Sequence, residues 1–293
     1  MVFACLKAGF ARVWTNKRLI LIFYLPNLLF AVILMLPFHA MLDNYIGKSL
    51  MGEKLGGQVD MDFLFEFIVH NSVAGAMVFS AGLVVFAVYL LANLFLSGGA
   101  YAVFLSGQPY SASLFWAGAG KYFGRFFRLF LWGLPLLAIL FSLQFSVASI
   151  QKIFWGEDPY EYVLYWGKWV KLVLRWLAFF LFLIVFDYGR IYTVKFDAQR
   201  MGKAFLEGLR FAGKNLRRTT ILAFFFSLAG ILALSVYNPV ADLFTAPEAY
   251  IIALLFIWQQ LFMLFRMALR LMLYASQGQL YNHLGRHLQP RDV

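Results

Sequence analysis

Charge is scarce in this chain. Asp, Glu, Lys and Arg supply only 13% of its 293 residues, where a soluble globular domain carries about 25%. That is too little to cover a water-facing surface of this size, which excludes an ordinary soluble domain. Acids are the scarcer sign: 14 Asp and Glu stand against 25 Lys and Arg, a net charge of +11. No carboxylate pair falls inside an apolar run, which removes the usual equipment for acid–base catalysis. Cysteine is nearly absent. Cys5 alone admits no intramolecular disulfide, and it precedes the first apolar run, whereas a lipidated cysteine would follow one.

Other reactive patterns are missing too. His283 and His287 are spaced to share a helix face, but no Cys, Asp or Glu joins them at metal-ligand spacing. Asp60-Met61-Asp62 has the form of a short metal motif and reads as part of an acidic, solvated loop. Gly118-Ala119-Gly120-Lys121-Tyr122-Phe123-Gly124 has the glycines of a phosphate loop without the preceding strand. No serine sits in a nucleophile elbow. The expectation is a protein that is not an enzyme, with no cofactor and no metal.

Apolar and aromatic residues are what the chain has in abundance. The apolar fraction is 62%, and there are 34 Phe, 15 Tyr and 8 Trp. A membrane-spanning helix needs about 20 mainly apolar residues, and six segments qualify: roughly 19–40, 73–97, 128–150, 169–188, 219–238 and 249–273. The second continues at lower hydrophobicity through Ser97-Gly98-Gly99, a potential breaker. The first is too long for a cleavable leader, whose apolar core runs about 7–15 residues, so it reads as a retained span. The fold class is therefore an all-α polytopic membrane protein, one integral domain over 1–293.

The loops orient it. One side holds 1–18, 98–127, 189–218 and 274–293. With Arg128 counted there, it carries 17 Lys and Arg against three acids, Asp197, Glu207 and Asp292. The other side holds 41–72, 151–168 and 239–248, with four lysines and ten acids. Positive charge stays in the cytoplasm, so both termini lie inside and the six spans form three hairpins. The excess of basic residues then addresses anionic lipid headgroups, at about 1 kcal/mol each near the surface, and not nucleic acid.

Three basic segments precede the hairpins. Residues 2–18 place Phe3, Leu6, Phe10, Val13 and Trp14 at helical spacing. Residues 111–127 do so with Leu114, Phe115, Tyr122 and Phe126, and 198–216 with Phe205, Leu209 and Phe211. These fit amphipathic helices lying in the interface. The pattern divides the chain into possible repeats, 1–106, 107–196 and 197–293. Gly9, Gly118 and Gly208 hold comparable places, with Arg18, Arg128 and Arg218 following. On the acidic side, Met51, Leu55, Phe63, Phe65, Phe67 and Ile68 suggest a short helix against the membrane, either a docking surface for a membrane or periplasmic protein partner or a lid.

Charges within spans are the candidate site, because burying them in lipid is costly. Lys168, Lys171 and Arg175 share one face of span four, flanked by Trp166, Trp169 and Trp176. They form either an anion or headgroup site or a set of side chains reaching back to water. Asp187 lies near the basic end of span four, with Arg266 and Arg270 at similar depth in span six. Pairing Asp187 with either arginine would lower the cost of burial and make a structural ion pair or a gate. Asn27, Asn93, Gln144, Gln259 and Gln260 are expected to bond between helices. Pro26 and Pro135 could break their spans.

Leu6-Lys7-Ala8-Gly9-Phe10 leading into Asn16-Lys17-Arg18, and Ala204-Phe205-Leu206-Glu207-Gly208 leading into Asn215-Leu216-Arg217-Arg218, form a pattern with a known counterpart. It resembles bacterial six-span inner-membrane proteins, including the membrane domain attached to some glycerophosphodiester phosphodiesterases. The resemblance implies a multi-pass protein of the bacterial inner membrane, without the catalytic phosphodiesterase domain, and assigns no functional residues. Two functions remain open. One is a non-enzymatic component binding lipid or a partner protein as scaffold or accessory subunit. The other is a transporter or permease for a lipid-like or anionic solute.

Overall fold

The structure, a computed structural model, describes residues 1–47, 61–70, 72–157, 159–243 and 248–285, the side chains at positions 45, 64, 68, 70 and 72–74 excepted. Met51, Leu55, Asp60 and His287 lie outside the described residues, as does the side chain of Ile68. Every regular element described is a helix: α1 (Val2–Thr15), α2 (Arg18–Ile46), α3 (Met61–His70), α4 (Ser72–Ser106), α5 (Ala112–Trp155), α6 (Glu161–Lys195), α7 (Met201–Lys214), α8 (Leu216–Ala241) and α9 (Ala249–Leu284). Six of them, α2, α4, α5, α6, α8 and α9, are long and apolar enough to cross a membrane. In lipid a helix satisfies its own backbone groups, which is why long apolar runs take this form. The chain is thus a multi-pass membrane protein. Leu21, Leu25 and Leu29 of α2 are 55–60% exposed, as are Ile231 and Leu232 of α8 near 60%. Such apolar area facing outward needs a bilayer to cover it.

Three boundaries differ from the sequence expectation. First, α4 runs unbroken through Ser97-Gly98-Gly99 to Ser106. Second, residues 111–127 do not form a separate interfacial helix. They are the first turns of α5, capped by Ser111, whose hydroxyl accepts from the Leu114 N–H at 3.2 Å. At 1.5 Å per residue α5 is about 66 Å long, some twice the hydrocarbon thickness of about 30 Å. The flanking segments do break, α1 before Asn16-Lys17 and α7 at Asn215. In the register that aligns Gly118 with Gly208, Arg125 stands opposite Asn215. Asparagine competes with the helix for backbone bonds, whereas arginine is a good helix former. Third, Pro26 and Pro135 interrupt neither α2 nor α5.

The chain divides into two compact units. The first comprises Met1–Arg12, Ser97–Phe224 and Leu273–Val293. Here α5 and α6 pack along one another and α7 packs on both. The buried face of α5 carries Phe115, Ala119, Tyr122, Phe126 and Leu129, spaced by three and four. That of α7 carries Ala204, Phe205, Gly208, Phe211 and Ala212. The apolar side expected to lie on the membrane therefore faces protein in both segments, with Leu209 left exposed. Glycines set the close contacts. A Cβ on Gly118 would stand 2.4 Å from that of Ala102, and one on Gly208 would stand 2.6 Å from the backbone nitrogen of Gly189. Each glycine of an aligned pair thus lets its segment lie against the end of the helix before it. The Ser97-Gly98-Gly99 stretch is the α4 side of the first contact, a notch and not a break.

The second unit comprises Val13–Leu96 and Phe225–Met272. Its helices are joined by polar side chains, as expected of Asn27, Asn93 and Gln260. Asn27 Oδ1 accepts from Tyr89 Oη at 2.8 Å, and its Nδ2 donates to Phe23 O at 2.5 Å and to Met267 Sδ at 3.3 Å. Tyr24 Oη donates to Gln260 Oε1 at 2.7 Å. In lipid each such bond contributes on the order of 1 kcal/mol. Tyr237 stacks on Trp258 and Phe262, which fastens α8 to α9. On α3, Phe63 and Phe67 are buried and Phe67 meets Phe38 of α2, while Met61, Phe65 and Val69 are exposed.

The apolar positions of α1 split into two faces. Cys5, Gly9 and Val13 turn inward, while Phe3, Phe10 and Trp14 are 51–78% exposed. The inward face explains the burial of Cys5, whose thiol is pushed up from its ordinary value by desolvation.

Candidate functional site

The charged centre of the first unit is a pair that sequence reasoning did not join. Asp187 and Arg190 stand three residues apart on α6, which extends past the expected end of span four as far as Lys195. One Asp187 oxygen takes the Arg190 guanidinium. The other, Oδ2, accepts from Gln277 Nε2 of α9 at 3.0 Å. Both ionic residues are buried, Asp187 at 5% and Arg190 at 4% exposure. Four rings enclose the guanidinium, with centroids at 4.7 Å for Phe186, 5.1 Å for Tyr274, 5.2 Å for Tyr101 and 5.9 Å for Phe126. Arg190 Nε has no hydrogen-bond acceptor among the described residues. The negative ring faces supply the compensation a desolvated cation needs.

This hub gathers side chains of α4 (Tyr101), α5 (Phe126), α6 (Phe186, Asp187, Arg190) and α9 (Tyr274, Gln277). It is electrically neutral and closed to solvent. Breaking one partner of such a pair costs far more than replacing both, so the arrangement acts as a clasp on four helices. It takes Asp187 out of the reach of a solute.

The other sequence-predicted charges are placed separately. Arg270 Nη1 donates to Asn93 Oδ1 at 2.6 Å, and its guanidinium lies 6.0 Å from the Phe23 ring centroid. Arg266 is exposed and sits over the Phe262 ring at 5.8 Å. Asp187 and the two arginines are thus each met by other groups than the sequence reading joined. Arg175 donates through Nε to Gln144 Oε1 and so links α6 to α5. Lys168 is exposed and Lys171 half-buried. From the sequence Arg190 counts among the basic loop charges, because the apolar run ends at Tyr188. The available signal was an acid and a base three apart within Phe186-Asp187-Tyr188-Gly189-Arg190-Ile191.

Two basic cavities open in the first unit. One, of about 560 Å³, is lined by Arg128, Leu131 and Trp132 of α5 together with Gln199, Arg200, Met201, Gly202 and Lys203. Three cations and an indole converge there with no carboxylate in the lining. The other, of about 400 Å³, lies among α4, α5, α6 and α9 and includes Lys121 and Lys195. Among the described residues, no group of three or more His, Cys, Asp or Glu is placed to hold a metal ion.

Between the cavities, Asp197 ends α6. Its backbone is left-handed at φ 48°, and the Ala198 N–H returns to the Thr193 carbonyl at 3.1 Å, the long bond of a Schellman turn. The carboxylate takes Lys121 Nζ at 3.0 Å and Arg125 Nη1 at 2.5 Å. The Lys121 bond, then that of Arg125, holds Asp197 below the usual carboxylate range. A depressed native value stabilises the fold above the unfolded value of about 3.9, and that contribution is lost as pH falls through the native value. The side chain is 51% exposed, so solvent screens the pair. Asp197→Asn is expected to cost under about 1 kcal/mol at neutral pH. The difference should narrow below about pH 4, as thermal melts at pH 7 and pH 3 would show.

No protein-family model, curated protein or solved structure matches the chain.

Proposed function

We propose that the chain is a non-enzymatic protein of the bacterial inner membrane that holds anionic lipid at its cytoplasmic face and serves as a scaffold or accessory subunit. The observation that carries this reading is the cleft of Arg128, Arg200 and Lys203 beside Trp132. Guanidinium and ammonium groups pair with phosphate, and an indole favours the headgroup level. The loop charges support an orientation with both termini inside and three hairpins, each introduced by a basic amphipathic segment. A reporter fused after Gly156 should then signal an exported position; a cytoplasmic signal would overturn that topology. The transporter reading draws less support, since Asp187, Arg175 and Arg270 are each engaged by protein partners.

Native mass spectrometry of the protein from its own membrane tests the proposal. Retained phosphatidylglycerol or cardiolipin should exceed phosphatidylethanolamine. Changing Arg128, Arg200 and Lys203 together to Gln should weaken that retention on the order of 100-fold, given about 1 kcal/mol per basic residue. A protein co-purifying at fixed stoichiometry would identify the scaffold's partner. Equal retention of zwitterionic lipid, unchanged in the triple variant, would sink the lipid reading.

A further inference from the structure

The second basic cavity shares no lining residue with that cleft, and its charges are balanced differently. Lys121 and Lys195 both line it. Lys121 is already met by Asp197 at 3.0 Å. Lys195 has no carboxylate within ion-pair distance among the described residues. Its Nζ donates instead to Asn282 Oδ1 of α9 at 2.7 Å, between the rings of Tyr281 at 5.0 Å and Phe196 at 5.8 Å. Asn282 must present its oxygen to the ammonium, because the flipped amide would set N–H groups against a cation. Its Nδ2 donors therefore meet no acceptor among the described residues, on a residue that also lines the cavity.

Among the described residues the cavity thus offers one positive charge with no carboxylate beside it, and an amide donor. Leu105, Leu114 and Ala117 supply apolar wall beside them. A single uncompensated cation suits a singly charged anion better than a doubly charged phosphate monoester. We propose that this cavity binds one phosphodiester group, held by Lys195 Nζ and Asn282 Nδ2, with the apolar wall against the carbon chains it esterifies. The group belongs either to a glycerophospholipid headgroup or to a soluble phosphodiester. This site goes beyond the lipid-holding cleft, and its test can fail while that of the cleft succeeds.

The experiment uses the full chain in a nonionic detergent, with dihexanoyl phosphatidylglycerol as probe and native mass spectrometry as readout. One tightly bound molecule is expected, retained in the Arg128, Arg200 and Lys203 triple variant. Lys195→Met should weaken it at least tenfold, on the order of one charge-assisted hydrogen bond, and Lys195→Arg should restore most of the affinity. Asn282→Asp is the decisive change. It is nearly isosteric and sets a carboxylate beside Lys195, so it should expel the anion while leaving the melting temperature no lower. It also carries the test if Lys195→Met fails to fold. Displacement by dimethyl phosphate would show that a soluble phosphodiester suffices; resistance to it, with loss in both variants, would mark the lipid as the source. Undiminished binding in Asn282→Asp, or equal retention of uncharged dihexanoylglycerol, would overturn the proposal.

Discussion

Asp187→Asn is expected to lower the melting temperature of the purified protein on the order of 10 °C, the largest single effect in the chain. The substitution removes the counter-charge of Arg190, which is 4% exposed and ringed by four aromatic faces. Breaking one partner of a buried pair costs about 3–5 kcal/mol, because the other charge remains desolvated. Against a total stability of about 5–15 kcal/mol that is a large share. Arg190→Met should be comparably harmful, since it strands the carboxylate and leaves Gln277 as its remaining partner. The double variant Asp187→Leu with Arg190→Met separates this account from simple loss of packing. Replacing both ions by apolar residues of similar bulk is often neutral, so the double variant should melt well above either single one. If it melts at or below the worse of the two, the hub is not held by its ion pair in the way described.

Gly208→Ala is expected to be the next most damaging change, at about 1–3 kcal/mol for an overpacked contact. The added Cβ would stand 2.6 Å from the nitrogen and 2.8 Å from the Cα of Gly189, and 2.9 Å from the Val185 carbonyl oxygen. All three are backbone atoms, which cannot rotate aside as a side chain could. The α7 segment would have to lift from α6, and with it the buried Phe205 and Phe211. Gly124→Ala is the control within α5. A Cβ there meets nothing within 4 Å, so the change should stabilise the helix by up to about 1 kcal/mol through propensity alone. Opposite signs of the two shifts in thermal melts support the close-approach account. A loss of similar size at both positions would point to a general intolerance of alanine in place of glycine.

The two basic cavities carry smaller effects, and they share no lining residue, so each responds to its own substitutions. The cleft variants read bulk selectivity among lipids, and the Asn282→Asp variant reads one stoichiometric molecule. The expected pairing of Asp187 with Arg266 or Arg270 shows how such sites are misread from sequence. Depth along two spans is legible from residue number, but rotation about each helix axis is not. Asp187 faces Arg190 and Gln277, whereas Arg270 faces Asn93.

By itself the sequence determined the six helices that, among the described residues, are long and apolar enough to cross a membrane, because a run of about 20 apolar residues satisfies its backbone in lipid as a helix. It also pointed to Asn27, Asn93, Gln144, Gln259 and Gln260 as seeking partners among neighbouring helices, since an unmet amide in hydrocarbon is expensive; all but the exposed Gln259 find one among the described residues. Tertiary structure alone decided which face each basic segment turns inward. Phe115, Phe126, Phe205 and Phe211 satisfy an interfacial pattern and a protein-facing pattern equally well, and the choice falls to whether a neighbouring helix is close enough to cover them. Gly118 and Gly208 let the helices come that close, which is why these segments bury their aromatics in protein. The same proximity decided the site, for Gln277 reaches Asp187 and Asn282 reaches Lys195 only where the C-terminal end of α9 meets α6.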